Sequence, residues 1–201
     1  MLEIIKQAGW PIYPLIICSI VALAIIAERF WALRADIIAP ESLLPEVQKM
    51  LAAGGLSKEN IAKVREHSML GEVFAGALNN ANNSREVIKE AIEESGRSVV
   101  HKLEKYISIL GTIATVAPLL GLLGTVIGMV ELFGAFTNTG HDVAQFARGI
   151  SVALYNTAAG IVVAVPAMIF YRYFRNKVDD LIVEMELQAI KLVEVIHGQR
   201  K

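Results

Sequence analysis

Two stretches of this chain contain no charged residue, and each is long enough to cross a lipid bilayer. They cover residues 107–130 and 149–171. A bilayer core of ~30 Å needs about 20 apolar residues in a helix, and both stretches have slightly more. A third uncharged stretch, residues 7–27, lies near the start, and 54% of the chain is hydrophobic. The sequence therefore predicts an all-α integral membrane protein with three transmembrane helices.

The first stretch is predicted to be a retained span rather than a cleaved signal peptide. No basic cluster precedes it, and the positive charges of Arg29 and Arg34 follow it. A signal peptide has the opposite order of charges and a shorter apolar segment.

The distribution of Lys and Arg predicts which side of the membrane each segment faces. Residues 28–106 carry eleven of the 19 basic residues, and residues 172–201 carry six. Residues 1–9 and 131–148 carry one each. Because cytoplasmic loops are enriched in Lys and Arg, we expect residues 28–106 and the C-terminus in the cytoplasm. The N-terminus and residues 131–148 are expected on the opposite side.

Helix stop signals divide the chain into five segments. No stop signal appears between about residue 84 and Phe133, so one continuous helix is predicted there. The third span continues in the same way until Gly198. The predicted segments are residues 1–34 with the outer N-terminus and first span, 35–83 as a cytoplasmic helical loop, 84–133 as the long helix with the second span, 134–148 as the outer loop, and 149–201 as the third span with its cytoplasmic C-terminal helix.

Capping residues predict short helices within the cytoplasmic loop. Gly54 and Gly55 end the first of them, and Ser57 is the predicted N-cap of the second. A third short helix is predicted over about residues 69–81. Asn83, followed three residues later by Glu86, predicts the capped start of the long helix.

The three uncharged stretches contain no Asp, Glu, Lys, Arg or His. An intramembrane ionisable residue is the usual sign of a proton relay. If this chain conducts protons, the titrating carboxylate therefore has to come from another chain. The polar side chains assigned to a proton pathway are Thr115, Thr125, Asn156 and Thr157.

Thr125 and Thr157 are predicted to lie at similar depths in their spans. On an ideal helical rise they are ~27 Å and ~21 Å from the cytoplasmic ends. Both hydroxyls could therefore face one polar locus. The alternative is that each threonine bonds to a carbonyl of its own helix and packs, as threonines in spans generally do.

Small residues and prolines recur in the second and third spans. Small residues at about four-residue spacing let helices approach closely within an oligomer. Each proline frees the carbonyl four residues earlier, which indicates either a packing kink or a hydrated lining near Thr115. The residues assigned to packing and kinks are Pro118, Gly121, Gly124, Gly128, Gly160 and Pro166.

The sequence does not support an enzyme, a metal site, a cofactor site or nucleic-acid binding. The histidines have neither ligand spacing nor cysteine partners. They are His67, His101, His141 and His197. No phosphate loop or nucleophile motif appears, and the basic residues are interleaved with acidic ones. We expect no cofactor, no metal and no nucleic-acid partner, and we expect contacts with membrane lipids.

Two motifs resemble the signature spans of the MotA/TolQ/ExbB family. They are APLLGLLGTVIGMVELF at residues 117–133 and ALYNTAAGIVVAVPAMIFY at residues 153–171. The resemblance covers the whole chain and is strongest from about residue 106 to 175. The length, the three spans and the long cytoplasmic helices are similar to those of the ExbB and TolQ branch.

The resemblance implies a homo-oligomer, a pentamer, around a central pore in the bacterial inner membrane. It implies that the pore holds a dimer of an ExbD- or TolR-type partner with one span and one Asp. Proton flow through that Asp would energise TonB or TolA across the periplasm. By the same resemblance, Thr125 and Thr157 match the pore-lining threonines of the family.

One position departs from the family pattern. Members of the ExbB and TolQ branch often carry Glu five residues before the threonine of the third span, and here that position is Val152. Three interpretations stay open: an ExbB-like subunit for TonB-dependent outer-membrane transport, a TolQ-like subunit of the Tol-Pal envelope system, and a non-conducting membrane scaffold. The choice between protons and sodium ions also stays open.

Overall fold

A computed structural model describes the backbone of residues 9–139 and 143–198. Side chains are described in these ranges except at residues 135–139, 143–146 and 148. The predicted outer N-terminus before residue 9, the centre of the predicted outer loop and the last three residues lie outside the described part.

The described backbone forms eight α-helices and no strand. These are α1 (Ile12–Ala32), α2 (Ala35–Ile38), α3 (Leu43–Ala52), α4 (Lys58–His67), α5 (Met69–Asn79), α6 (Arg85–Leu103), α7 (Ile107–Thr139) and α8 (Val143–Ile196). Three of them, α1, α7 and α8, are long and apolar enough to cross a membrane. The predicted all-α class with three candidate spans is therefore confirmed.

Helix α8 confirms that the third span continues far beyond its apolar part. It contains 54 residues, which is ~81 Å at the α-helical rise. It ends at Ile196, and Gly198 follows with a φ of +68°. Glycine reaches this left-handed conformation at little cost and is a common helix terminator.

The prediction of one continuous helix over residues 84–133 is wrong, because the helix breaks at residues 104–106. Helix α6 ends at Leu103 and α7 begins at Ile107. Between them, Tyr106 has a φ of +67°. In an unbroken helix the N–H of Ile107 would bond the carbonyl of Leu103. Here the guanidinium of Arg29 donates to that carbonyl at 3.2 Å.

The predicted loop over residues 134–148 is also wrong over most of its length. Helix α7 continues to Thr139, and α8 already begins at Val143. The sequence there lacks proline inside either helix end, and its polar residues do not prevent helix formation.

The predicted caps of the short helices are confirmed with one exception. Gly54 follows α3 with a φ of +71°, and the hydroxyl of Ser57 accepts from the N–H of Asn60 at 3.2 Å. The start of α6 differs from the prediction, since its N-cap is Ser84 rather than Asn83.

The chain divides into two compact units, which we call the apolar unit and the charged unit. The apolar unit consists of Met1–Glu28 and Tyr106–Tyr173. Its three candidate spans meet where Leu15 of α1 packs against Ala117 of α7 and Ala164 of α8. Two alanines opposite one leucine leave room for the third helix at a close distance.

The charged unit consists of Arg29–Lys105 and Phe174–Lys201. Its core is formed by apolar residues of α5, α6 and α8 that are at most 2% exposed: Leu70, Phe74, Ile88, Val99, Phe174, Val178, Leu181 and Leu192. An ion pair between Lys102 and Glu72 (2.6 Å) joins α6 to α5. A side-chain methyl at Gly76 would overlap the Ser95 hydroxyl, so these two helices are in very close contact.

Candidate functional site

The predicted site residues lie along the contact between α7 and α8 in the apolar unit. Glycines bring the two helices together at its centre. A Cβ placed on Gly121 would be 2.8 Å from the backbone oxygen of Asn156, and one on Gly160 would be 2.7 Å from that of Ala117. Both distances are too short for carbon next to oxygen. The close packing here therefore requires glycine on both helices.

Asn156 fills the next level of this contact. Its side chain is fully buried (0% exposed), and its amide nitrogen donates to the carbonyl of Val152 at 3.1 Å. A Cβ on Gly124 would lie 2.5 Å from the Cβ of Asn156. The structure therefore places Asn156 inside the helix contact, whereas we predicted it to line a proton pathway, a role which stays a prediction.

Thr157 bonds across the contact to the other helix. Its side chain is half-buried, and its hydroxyl donates to the carbonyl of Gly121 at 3.5 Å. Within α7 the same carbonyl is the acceptor for the backbone N–H of Thr125, four residues later. The two threonines that the sequence places at similar depth are thus linked through one backbone carbonyl.

Thr125 and Thr115 bond within their own helix. The hydroxyl of Thr125, on a half-buried side chain, donates to the carbonyl of Leu122 at 2.6 Å. The hydroxyl of Thr115, on an exposed side chain, donates to the carbonyls of Thr112 at 2.9 Å and Gly111 at 3.2 Å. Thr115 and Thr125 therefore bond to carbonyls of their own helix, as the packing alternative predicts. Thr157 bonds to the other helix instead. Each hydroxyl keeps an oxygen lone pair for a further donor.

The remaining predicted packing residues hold different positions. A Cβ on Gly128 would lie 3.5 Å from the Cβ of Ala153, which is an ordinary contact, so glycine is not required there. Pro118 lies inside α7 and Pro166 inside α8. Pro118 is half-buried and Pro166 is exposed.

The carbonyls that the two prolines free belong to residues of different exposure. They belong to Ala114, which is 4% exposed, and Val162, which is 69% exposed. The predicted hydrated lining near Thr115 stays a prediction.

Two glycines outside the predicted site continue the same close contact. A Cβ on Gly111 would lie 2.9 Å from the ring of Tyr171, and one on Gly149 would overlap the side chain of Leu132. The row of small residues in the sequence extends to both positions, so the same spacing argument could have found them. The contact of Leu15 with α7 could not have been found, because α1 is apolar on all sides.

The outer faces of α7 and α8 expose large apolar side chains. The most exposed are Leu119, Val130, Leu154 and Val162, at 63–69%. A helix that is apolar all round is typical of a membrane span. In the apolar unit, Asn156 and Thr157 lie at the helix contact, and large apolar side chains cover much of the outside.

This arrangement defines a helical membrane protein in which glycines and hydroxyl-bearing residues line a tight contact between two spans. The model of the MotA/TolQ/ExbB proton channel family matches residues 65–187. The matched range is more than half of the chain and contains every predicted site residue. The chain belongs to the MotA/TolQ/ExbB proton channel family.

Similar proteins include ExbB-named relatives from several organisms. A putative biopolymer transport protein ExbB-like 1 from Synechocystis sp. is 30% identical over 176 residues, which cover 86% of this chain and 69% of the relative. The biopolymer transport protein exbB1 of Vibrio cholerae is 29% identical over 170 residues, or 81% of this chain and 74% of the relative. A putative biopolymer transport protein ExbB homolog from Methanothermobacter thermautotrophicus is 28% identical over 189 residues, which cover 93% of this chain and 67% of the relative.

Proposed function

We propose that this chain is the ExbB-like subunit of a proton-driven complex in the bacterial inner membrane. Several copies surround an ExbD-like partner that has one span with one Asp. The complex converts the proton motive force into energy for TonB-dependent transport across the outer membrane. Family membership and the relatives named as biopolymer transport proteins support this proposal.

One observation carries the proposal. The chain belongs to a proton channel family, yet its uncharged stretches 7–27, 107–130 and 149–171 contain no Asp, Glu, Lys, Arg or His. A proton relay through a bilayer needs a titrating group. A carboxylate supplied by a partner chain satisfies that need. This chain then supplies the hydroxyls and the tight contact between two helices.

We assign the N-terminus to the periplasm and the C-terminus to the cytoplasm. The support is the excess of Lys and Arg in residues 28–106 and 172–201, because basic residues are retained on the cytoplasmic side. In this topology the charged unit is cytoplasmic and the apolar unit is in the membrane.

Thr125 and Thr157 are the residues of this chain that we assign to the proton path. A carboxylate at the bilayer centre costs ~2.5–3.5 kcal/mol on insertion scales, and a charge that crosses the membrane gains ~2.3 kcal/mol per 100 mV. The free-energy cost of placing the carboxylate in the membrane and the free energy gained from the membrane potential are therefore similar. The hydroxyl of Thr157 lowers this cost by turning away from the carbonyl of Gly121, its acceptor at 3.5 Å, and donating to the ionised carboxylate.

The first experiment is affinity purification of the tagged chain from native membranes, followed by mass spectrometry. Co-purification of a small single-span protein with an intramembrane Asp is the expected result. A TonB-like protein alongside it supports the transport role, and a TolA-like protein would replace that role by the Tol-Pal system. A homo-oligomer without such a partner would overturn the proton motor in favour of a scaffold.

The substitution Thr157→Val tests the proton path. Valine has nearly the same shape, so we expect normal assembly with loss of proton-driven uptake in the host. Thr157→Ser keeps the hydroxyl and is expected to retain uptake. Thr112→Val is a matched control, because among the described residues the hydroxyl of Thr112 bonds only to its own helix, at the carbonyl of Ser108 (3.0 Å). Unchanged uptake in a Thr125→Val, Thr157→Val double variant would exclude the lining role.

A further inference from the structure

The break between α6 and α7 conflicts with the local sequence around it. Residues 100–107 contain neither glycine nor proline, and Glu104 and Lys105 are good helix formers. Such a segment favours one continuous helix. Tyr106 instead has a φ of +67°, a left-handed conformation that is unfavourable for a residue with a bulky side chain. Local preference and observed structure therefore oppose each other, and such conflicts mark strained or functional positions.

Contacts from two other helices hold the break in place. The guanidinium of Arg29, in the last turn of α1, donates to the carbonyl of Leu103 at 3.2 Å. Arg175 of α8 forms an ion pair with Glu104 at 3.2 Å. We call Arg29 and Arg175 the junction clamp. All four residues belong to the charged unit, so the clamp acts on the end of α6 from outside that helix.

An aromatic pair lies beside the junction clamp. Phe30 follows Arg29, Phe174 precedes Arg175, and the two rings pack edge to face with their centres 5.1 Å apart. Phe174 is 1% exposed and Arg29 is 6% exposed. Water therefore does not replace the guanidinium of Arg29 as a donor, and a hydrogen bond from a charged group is among the stronger ones in a protein. These contacts offset the cost of the left-handed residue.

The carbonyl of Leu103 has two competing donors. In a continuous helix it accepts from the N–H of Ile107, and in the observed structure it accepts from Arg29. Leu103 is 1% exposed, and a buried carbonyl without a donor is costly. Either donor satisfies this carbonyl. The segment between α6 and α7 therefore has two arrangements of low free energy, which differ in the backbone of residues 104–106.

We propose that residues 104–106 form a conformational switch. In its clamped state, which is the observed one, Arg29 bonds the carbonyl of Leu103 and the helix is broken. In its released state the helix continues through Tyr106, and the N–H of Ile107 bonds that carbonyl. Helix α7 carries Thr125, so the switch joins the helix of the proposed proton path to α6 in one state and separates it from α6 in the other.

Hydrogen exchange of the purified full chain in detergent tests the switch. Ile107 and Ser108 are the first residues of α7, where a helix offers its N–H groups no acceptor. In the released state both groups bond to carbonyls four residues earlier. Arg29→Met keeps the length of the side chain and removes the donor. We expect the exchange of these two amides to become several-fold slower, as measured by mass spectrometry with residue-level fragmentation.

The direction of this change separates a switch from a merely structural contact. If Arg29 only holds the end of α6 in place, Arg29→Met loosens that end, and the amides of Ile107 and Ser108 exchange at the same rate or faster. That result would overturn the proposal.

A matched pair of variants at Tyr106 tests the switch independently of Arg29. Tyr106→Gly and Tyr106→Ala both remove the ring, and they differ by one methyl group. Glycine accepts the left-handed conformation and favours the clamped state, whereas alanine favours the continuous helix. We therefore expect exchange at Ile107 and Ser108 to be several-fold slower in Tyr106→Ala than in Tyr106→Gly. Equal rates in the two variants would contradict the switch.

The centre of α6 is the internal control. Residues 92–95 lie inside α6 and bond within it in both states, so their exchange is expected to stay unchanged in all three variants. This measurement needs neither a partner chain nor proton transport. Failure to find a partner would overturn the proposed function alone, and unshifted exchange at Ile107 and Ser108 would overturn the switch alone.

Discussion

At Gly124 a single methyl group decides whether α7 and α8 can pack at their observed distance. The side chain of Asn156 occupies the space where that methyl would be, with its Cβ 2.5 Å and its Cγ 2.7 Å from the ideal Cβ position. Neither atom can move easily, because Asn156 is fully buried. The sequence alone suggested a conduction role for Asn156, and its position in the fold gives it a packing role as well.

We predict that Gly124→Ala destabilises the protein by about 1–3 kcal/mol, the usual cost of overpacking. Gly96→Ala in α6 is the control, because a Cβ there meets no atom of the described residues within 4 Å. It is expected to be neutral or slightly stabilising, since alanine favours helix over glycine. The measurement is the melting temperature in detergent by fluorescence-detected size exclusion. Equal losses in the two variants would contradict the close contact with Asn156.

The start of α6 contains a carboxyl group whose pKa is lowered. A backbone hydrogen bond at Glu86 and then one from the Ser84 hydroxyl stabilise the ionised form, and so the pKa of the exposed Glu86 carboxyl lies below its ordinary value. Because the pKa of Glu86 is lowered in the folded state, its ionised carboxylate stabilises the helix start at pH values above the ordinary pKa of glutamate. That contribution is lost as pH falls through the folded pKa.

We predict that Ser84→Ala raises the pKa of Glu86 toward its ordinary value, because one hydrogen bond to the carboxylate disappears. The measurement is an NMR titration of the side-chain carboxyl carbon of Glu86 in the full chain in detergent. Glu90, for which Ser84 is out of reach, serves as the internal control. An unchanged Glu86 titration would show that the Ser84 hydroxyl does not contribute.

At the scale of elements, the break between α6 and α7 is the feature that separates the structure from the sequence expectation. Residues 100–107 contain neither glycine nor proline, so no local signal indicates a helix end. Arg29, 74 positions earlier, replaces the missing helical N–H at Leu103, and Arg175 holds Glu104. Phe30 and Phe174 pack edge to face nearby, with ring centres 5.1 Å apart.

We predict that Arg29→Ala destabilises the protein by about 2 kcal/mol, the range for a buried hydrogen bond from a charged group. Arg29 is 6% exposed, so water does not replace it. Arg34→Ala is the control, because its ion pair with Asp36 (3.7 Å) is exposed and such pairs contribute ~0–1 kcal/mol. Thermal unfolding monitored by circular dichroism measures both. A loss for Arg34→Ala as large as that for Arg29→Ala would contradict this account of the break.

At the scale of the whole molecule, most charged residues belong to the charged unit, and the uncharged stretches 7–27, 107–130 and 149–171 contain no Asp or Glu. The described hydroxyls at Thr115 and Thr125 bond to backbone carbonyls of their own helix, and that of Thr157 bonds to the neighbouring helix. None of these groups takes up a proton near neutral pH. The proposed proton path is therefore complete only in the assembled complex.

We predict that lipid vesicles containing this chain alone are no more permeable to protons than empty vesicles. Addition of the partner identified by co-purification is expected to raise the rate of acidification under a membrane potential. An entrapped pH-sensitive dye measures the rate, and a partner with its intramembrane Asp replaced by Asn is the control. A proton leak through the chain alone would show that no carboxylate from a partner is needed.

Much of the architecture could be predicted from the sequence because it depends on properties that add up along the chain. Hydropathy and length alone identify α1, α7 and α8 as candidate spans. Glycine spacing identifies the faces that meet at Gly121 and Gly160. Local capping identifies the start of α4 at Ser57 and the end of α8 before Gly198. These features involve residues at most a few turns apart, so an isolated segment already contains the information.

By itself, the sequence determined that this is an all-α membrane protein whose apolar stretches lack a titrating carboxylate, since composition and charge order need no partner segment. Only the tertiary structure decided that Asn156 is buried against Gly124, that Thr157 rather than Thr125 reaches the other helix, and that the long helix breaks at Tyr106. Each of these depends on which groups from distant segments meet. A buried carbonyl accepts whichever donor the fold brings to it, and at Leu103 that donor is Arg29.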